Sequence, residues 1–298
     1  MRPVVELPLR HGVAASTLVL PRGDWPTLLD FLIERFPNLT ASQIATRVNA
    51  GEVLDPNGRP LASDAPFQTG LRIHYYRHIE DEARIPFEET ILFRDEHILV
   101  ADKPHFLPMS PVGAYAKETL LARLKVATGM ATLAPMHRLD RETAGVVAFT
   151  LKPAVRGVYQ RMFATRAVEK VYEAIAPWRA DVALPRLVRH RLEPDDHFMR
   201  MRVADGMPNA ETQVELIEHG NALARYRLTP STGKKHQLRV QMAALGLPIV
   251  GDAIYPVFRH DPGFAQPLQL LAKRLAFVDP ITGVYREFVS QRTLIPME

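Results

Sequence analysis

An unbroken apolar run, Val146-Val147-Ala148-Phe149, stands directly behind a turn of mixed charge, His137-Arg138-Leu139-Asp140-Arg141-Glu142-Thr143-Ala144-Gly145. A short apolar run bounded by turn residues predicts a buried strand, which any fold for this chain must cover. Asp140 is thereby placed near the mouth of a core element, between Arg138 and Arg141. Cations beside a carboxylate favour its charged form. An ionised, strand-anchored carboxylate is what covalent catalysis by aspartate needs. An aspartate that only closes a turn fits the same residues.

The rest of the chain narrows the classes. Its 298 residues suffice for one large or two ordinary domains. Hydrophobic content of 47% with 23% charged residues describes a globular protein. With no cysteine there is neither a disulfide framework nor a thiolate metal site, which suits a reducing, cytoplasmic setting. The N-terminus carries Arg2 and Arg10 among short, broken apolar runs, unlike a signal peptide. No apolar run approaches the roughly 18 residues of a membrane span.

The net charge of +4 permits an anionic partner. Residues 1–85 hold 9 Lys+Arg against 10 Asp+Glu, and residues 86–298 hold 28 against 23. A nucleic-acid footprint is therefore expected mainly on the second part. Neither a Walker loop nor a dinucleotide fingerprint occurs, and His137 with Asp140 lacks a clustered third ligand. The expectation is a monomer with no cofactor, no metal and no membrane partner.

In chain order, residues 25–36 predict a helix capped by Asp24, with Pro26 in its first turn. Residues 40–49 predict a second helix stopped at Gly51. Val53-Leu54, a turn at 55–58 and a strand at 71–77 follow. Residues 79–90, with Glu80, Asp81, Glu82, Glu88 and Glu89 around Pro86, read as a linker. Residues 91–104 give two strands about a polar turn. A helix from Pro153 carries Val155, Val158, Tyr159, Met162 and Phe163 on one stripe, and residues 169–175 alternate as a strand does. Between Arg186 and Arg202 lies the densest basic stretch, suited to phosphate contact or simply to solvation. Strands at 211–216 and 224–228 precede a helix entered at Gly233, whose first amides would help hold an anion.

These stretches resemble, over about residues 91–290, the RluA-like family of RNA pseudouridine synthases. The turn at 137–145 is similar to its His-Arg-Leu-Asp-x-x-Thr-Ser-Gly signature. Lys103-Pro104 is similar to the dipeptide ending its opening strand pair, and Lys170-Val171-Tyr172-Glu173-Ala174 to its Lys-x-Tyr-x-Ala strand. Residues 232–239 resemble its Thr-Gly-Arg-x-His-Gln-Leu-Arg helix. Three positions depart from the pattern: Ala144 stands for serine, Lys234 for arginine and Leu271 for histidine. Residues 20–78 resemble the α-L RNA-binding module of a small-subunit ribosomal protein, here without a single lysine.

The resemblance implies an α+β fold, a mixed and largely antiparallel sheet around a central cleft. It implies an N-terminal region over 1–85 and a catalytic domain over 86–298. The activity implied is isomerisation of uridine to pseudouridine in rRNA or tRNA, which needs no redox cofactor because the product is an isomer. Asp140 would serve as nucleophile or charge stabiliser, Arg239 would pair with it, and Tyr172 would stack on the uracil. Arg138 would fill the gap left by the extruded nucleotide. His137, Leu139, Lys234, Lys235, His236 and Leu238 would line the substrate site, with Arg189 and Arg191 on phosphates. A non-catalytic RNA-binding or ribosome-assembly protein on the same scaffold is the alternative; presence of Asp140, Tyr172 and Arg239 together speaks against it. An aspartate-based hydrolase would need a second carboxylate, for which Glu142 is the only nearby candidate.

Overall fold

The computed structural model describes residues 7–77, 82–259 and 263–296, and Arg2, Glu80 and Asp81 lie outside them. The chain divides into two compact units.

The first unit holds β1 (Ser16–Val19), α1 (Leu28–Arg35), α2 (Ala41–Asn49), β2 (Val53–Leu54) and β3 (Arg72–Tyr75). Its sheet runs β1-β3-β2. The first helix starts later than the sequence suggests, because Thr27 rather than Asp24 is its cap. The Thr27 hydroxyl accepts the Asp30 N–H, and the Asp30 carboxylate accepts the Thr27 N–H. Thr40 and Gln43 cap α2 in the same way. The two helices bury Leu28, Phe31, Leu32, Ile44 and Val48 in one core with Ile73. No element is expected from the sequence where β1 lies.

This unit is not one stretch of sequence. Besides residues 1–83 it takes in 111–117 and 122–131. Val13, Ala116 and Ala122 form a buried cluster within it. The inserted segments bring Lys117, Arg123 and Lys125, so the unit carries 11 Lys+Arg against 10 Asp+Glu. The expected linker also differs: Glu82 accepts the N–H groups of Ala116 at 2.8 Å and Lys117 at 3.1 Å. Ile85, on the other unit, is fully buried.

The second unit is built on β4 (Thr90–Arg94) and β5 (Ile98–Lys103). There follow α3 (Leu120–Thr128), which is shared between the units and which the sequence does not announce, then β6 (Ala134–Pro135), β7 (Ala144–Thr150), α4 (Arg156–Ala164) and β8 (Val168–Pro177). The remainder is β9 (Arg186–Pro194), β10 (Met201–Ala204), β11 (Ala210–His219), β12 (Leu223–Pro230), α5 (Gln237–Ala244), β13 (Leu270–Val278) and β14 (Tyr285–Val289). One sheet of 11 strands runs β10-β9-β11-β12-β8-β13-β7-β5-β4, with β14 on β13 and β6 on β7. Among the described strands only β13 and β7 pair in parallel. The fold is α+β, as the motifs imply.

The apolar run at 146–149 is the interior of β7, buried at every residue between β5 and β13. Gly145 makes that position reachable. Its φ is +116°, and a Cβ there would stand 2.2 Å from the Ala272 carbonyl oxygen. Glycine is therefore required where the turn carrying Asp140 enters the sheet. In α4, Tyr159 and Met162 are buried but Val158 faces solvent. The last helix begins at Gln237, not Gly233. His236 takes a left-handed cap position at φ 54°, and the Gln237 side chain accepts the Lys234 N–H and the Thr232 hydroxyl. The Lys234 amide is thus already satisfied within the protein. No described helix is long and apolar enough to cross a membrane.

Candidate active site

Asp140 sits in the turn ahead of β7, with its carbonyl accepting the Thr143 N–H. The turn is held from beneath by Lys103, the last residue of β5 and fully buried. Its Nζ donates to the carbonyls of Pro104, Leu107 and Arg141, each at 2.9 Å. Three acceptors call for three N–H bonds, which only the ammonium has. Burial pulls this amine down to about 7, while the charges of Glu142 and Asp140 oppose the shift. His105 ties the same turn by donating from Nδ1 to the Glu142 carbonyl at 2.7 Å. Burial lowers the His105 pKa to about 4, so it is neutral at pH 7.

From the other side comes α5. Arg239 is 1% exposed and makes two parallel bonds to Asp252, Nε to Oδ2 at 2.8 Å and Nη2 to Oδ1 at 2.7 Å. Asp252 is itself buried, and its Oδ1 accepts the N–H groups of Ile254 and Tyr255. That bidentate lock fixes the guanidinium plane. The remaining nitrogen, Nη1, has no hydrogen-bond partner among the described residues. It points at Asp140 Oδ2, 3.5 Å away, and Glu142 Oε2, 3.8 Å away. His236 Nε2 lies 4.0 Å from the other oxygen of Asp140. Burial takes the His236 pKa down to about 4, so this neighbour is also neutral at pH 7. Tyr172 projects from β8, a strand paired on both sides, with Leu228 and Ala272 opposite. Burial, and then the charge of Asp140, raises its phenol well above the usual range, so the hydroxyl keeps its proton.

A carboxylate at the open end of a strand thus faces one free edge of an immobilised arginine, with a protonated phenol in its field. Residues 97–244 match the family described as RNA pseudouridylate synthase. Over 66% of this chain and 90% of the other, the sequence is 32% identical to the dual-specificity RNA pseudouridine synthase RluA of Pasteurella multocida. The chain belongs to the RNA pseudouridylate synthase family. This synthase is also 33% identical to the ribosomal large subunit pseudouridine synthase D of Pseudomonas aeruginosa, over 68% of each chain. Among solved structures it is similar to human RNA pseudouridylate synthase domain containing 1. The TM-score there is 0.57 and the identity 25%, over 69% of this chain and 84% of that one.

The structure of the synthase brings Asp140, His236 and Arg239 together and puts Tyr172 within the electrostatic reach of Asp140. It gives other expected substrate contacts different work. The His137 ring turns inward, where Nε2 accepts the Ala148 N–H at 3.2 Å and the ring stacks on Phe163. Burial takes its pKa down to about 3, so it is a neutral prop for β7. Leu139 and Leu238 are buried, the latter packed with Val188, Tyr226 and Met242. Arg138, Lys234 and Lys235 remain exposed. Arg189 and Arg191 are exposed as well, but Arg189 donates to Glu211 at 2.6 Å and Arg191 lies 3.7 Å from Glu193.

The sequence does not disclose the parts played by Lys103 and Asp252. Lys103 stands within the Lys103-Pro104 dipeptide and Asp252 follows Gly251, yet nothing in their spacing says which groups they bond. The departures at 144 and 271 prove to be one feature. Ala144 and Leu271 stand opposite each other in the parallel β7–β13 pair and share a buried cluster with Ile175 and Leu294. Where the pattern that the motifs resemble has two polar residues, this chain has two apolar ones across a single contact. Leu271→His alone should destabilise the protein by about 1–3 kcal/mol, since it buries an imidazole among carbon atoms. Adding Ala144→Ser should recover part of that loss by giving it a hydroxyl partner. Urea unfolding of both single variants and the double variant measures the coupling; strictly additive effects would show the two sites to be independent.

Proposed function

We propose that this synthase converts a uridine of structured rRNA or tRNA to pseudouridine, with Asp140 as the residue that breaks the glycosidic bond. Residues 86–298 form the catalytic part, residues 1–85 an accessory module, and the enzyme works as a cytoplasmic monomer. The observation that carries the role of Asp140 is the single unbonded edge of Arg239, aimed at it from a guanidinium otherwise locked on Asp252.

The target base has to leave its stack to reach a carboxylate set in a turn. Arg138, exposed beside Asp140, supplies a planar group for the vacated position. Tyr172 offers a ring face to the uracil, and its firmly held proton suits it to stacking more than to acting as a base. Asp140 cleaves the bond from C1′ to N1, the freed uracil turns, and C5 bonds to C1′. N1 then gains a proton and C5 loses one. His236 supports the carboxylate: the Tyr255 hydroxyl accepts the Met201 N–H and hydrogen-bonds His236 Nδ1 at 3.0 Å, and in the tautomer with Nδ1 as acceptor the ring N–H on Nε2 faces Asp140.

Loss of the C5 proton supplies the test. Transcripts of rRNA and tRNA labelled with tritium at uridine C5 should release tritium to water in the presence of the protein, at one or a few mapped positions. Binding without release would favour the non-catalytic reading.

The basic hairpin of β9 and β10 positions the RNA. Its arginines already hold surface carboxylates: Glu211 for Arg189, Glu193 for Arg191 and Arg202, and Asp195 for Arg200. Exposed pairs of this kind are worth about 0–1 kcal/mol, so exchanging a carboxylate for a phosphate costs little. Arg189→Ala with Arg191→Ala should raise KM and flatten its dependence on salt, by about 0.7–0.9 log units for each phosphate the protein no longer neutralises. The kcat should stay nearly unchanged. Steady-state kinetics over a range of salt concentrations decides the matter; a loss confined to kcat would place these arginines in the chemistry.

A further inference from the structure

The loop joining β9 to β10 ends in an aromatic stack that no catalytic step uses. Phe198 is 84% exposed at its tip. Its ring lies 5.3 Å from that of His197, with 20° between the planes, and His197 lies 4.7 Å from Phe258. Phe258 is 39% exposed, so the Phe198 ring belongs to a small aromatic patch and is not a lone surface residue. The loop is also braced. The Arg200 N–H donates to the His197 carbonyl, the Asp195 N–H to the Arg200 carbonyl, and Arg200 Nη2 to the Pro256 carbonyl at 3.0 Å.

Two features say what the open ring face fits. Cations surround it: Arg200 and Lys235 contact the loop or the segment beneath it, and Arg191 and Arg202 stand on the adjoining strands. Asp195, Asp196 and Glu193 oppose them: Asp195 is 3.5 Å from Arg200, and Glu193 pairs with both Arg191 and Arg202. The second feature is continuity with the catalytic centre. Lys235 Nζ donates to the Phe198 carbonyl at 3.5 Å, and the next residue, His236, faces Asp140.

We propose that Phe198 is a stacking platform for an unpaired RNA base lying outside the target uridine, the base adding one more layer to the His197-Phe198 stack. Aromatic faces take bases of any sequence, and nearby cations track the backbone. This rests on the RNA-modifying reading above but concerns a different nucleotide and a different surface. It makes the enzyme selective for a uridine with a single-stranded neighbour, because a base held in a duplex has no free face.

The test uses binding and needs no turnover. Single-stranded RNA oligonucleotides carrying one 2-aminopurine are titrated with the full-length protein. Wild type should quench the fluorophore at one register, as stacking does. Phe198→Ala should weaken binding about five- to a hundredfold and abolish the quenching. Phe198→Trp should keep both, and Phe198→Leu, apolar but without a ring, should behave as alanine does. Binding by Phe198→Ala within twofold of wild type, or full retention by Phe198→Leu, overturns the platform, the latter pointing to a merely apolar contact with another partner. Tritium release is read separately: quenching without release would sink the isomerase reading and leave the platform standing.

Discussion

Asp140→Asn is expected to fold, to bind RNA with close to wild-type affinity and to form no measurable pseudouridine. The amide matches the carboxylate in shape, and the residue sits in a turn whose backbone is held by Lys103, His105 and Gly145. None of those contacts involves its side chain, so the fold should not notice the change. Removing a negative charge beside an anionic substrate gives no reason for weaker binding. Chemistry is another matter, because an amide offers neither a negative charge nor a competent nucleophile. A loss of about 10⁴-fold or more is expected, equivalent to at least about 5.4 kcal/mol of barrier. Pseudouridine mapping with thermal unfolding and RNA titration of the same preparation provides the check. Turnover within about tenfold of wild type would remove Asp140 from the reaction.

Arg239→Ala carries a double effect, and the two halves can be separated. The side chain is nearly inaccessible and neutralises Asp252, which is equally buried. Removing one partner of a buried pair destabilises by about 3–5 kcal/mol, because the other charge is left alone in the interior. The variant should therefore melt earlier. It should also slow the chemical step at saturating RNA by at least about a hundredfold, or about 2.7 kcal/mol, since Asp140 loses the cation aimed at it. Arg239→Ala with Asp252→Ala discriminates between the two. Stability should return in part once the stranded carboxylate is gone, whereas the single-turnover rate should stay low. A rate that recovers along with stability would make Arg239 a structural residue only.

The arrangement explains why an arginine is used at this position. Two nitrogens are spent on immobilising the group, and a third is left to face Asp140. A lysine has one nitrogen on a flexible stem and cannot both anchor and aim in that way. The same logic runs through the rest of the site. Lys103 is spent on carbonyls, His105 on the Glu142 carbonyl and Tyr255 on Met201 and His236. What remains unbonded at the centre is an edge of Arg239, and that edge faces Asp140, the proposed catalytic carboxylate.

Much of this was legible in the sequence. The apolar run behind a charged turn announced β7, and period-two alternation announced β8, although the burial of β8 does not alternate: Ala174, Ile175 and Ala176 are buried in succession. The turn at 137–145 and the helix around Arg239 pointed to the candidate site, since each keeps its motif side chains within a few residues. Long-range pairing was not legible. That Gly145 must be glycine follows from a carbonyl of Ala272 in another strand. That Ala144 and Leu271 form one contact follows from register, to which neither local pattern refers. Charge counted along the sequence makes the N-terminal part slightly acidic, while folding brings Lys117, Arg123 and Lys125 into that unit and reverses the sign. His137 looked like a substrate contact by its place in a motif; only the packed interior shows its ring stacked on Phe163. Local order fixes which residues alternate, cap and turn, because those forces act over a few bonds. Which buried cation meets which carboxylate is decided by where distant segments come to lie, and that is a property of the assembled sheet and helices together.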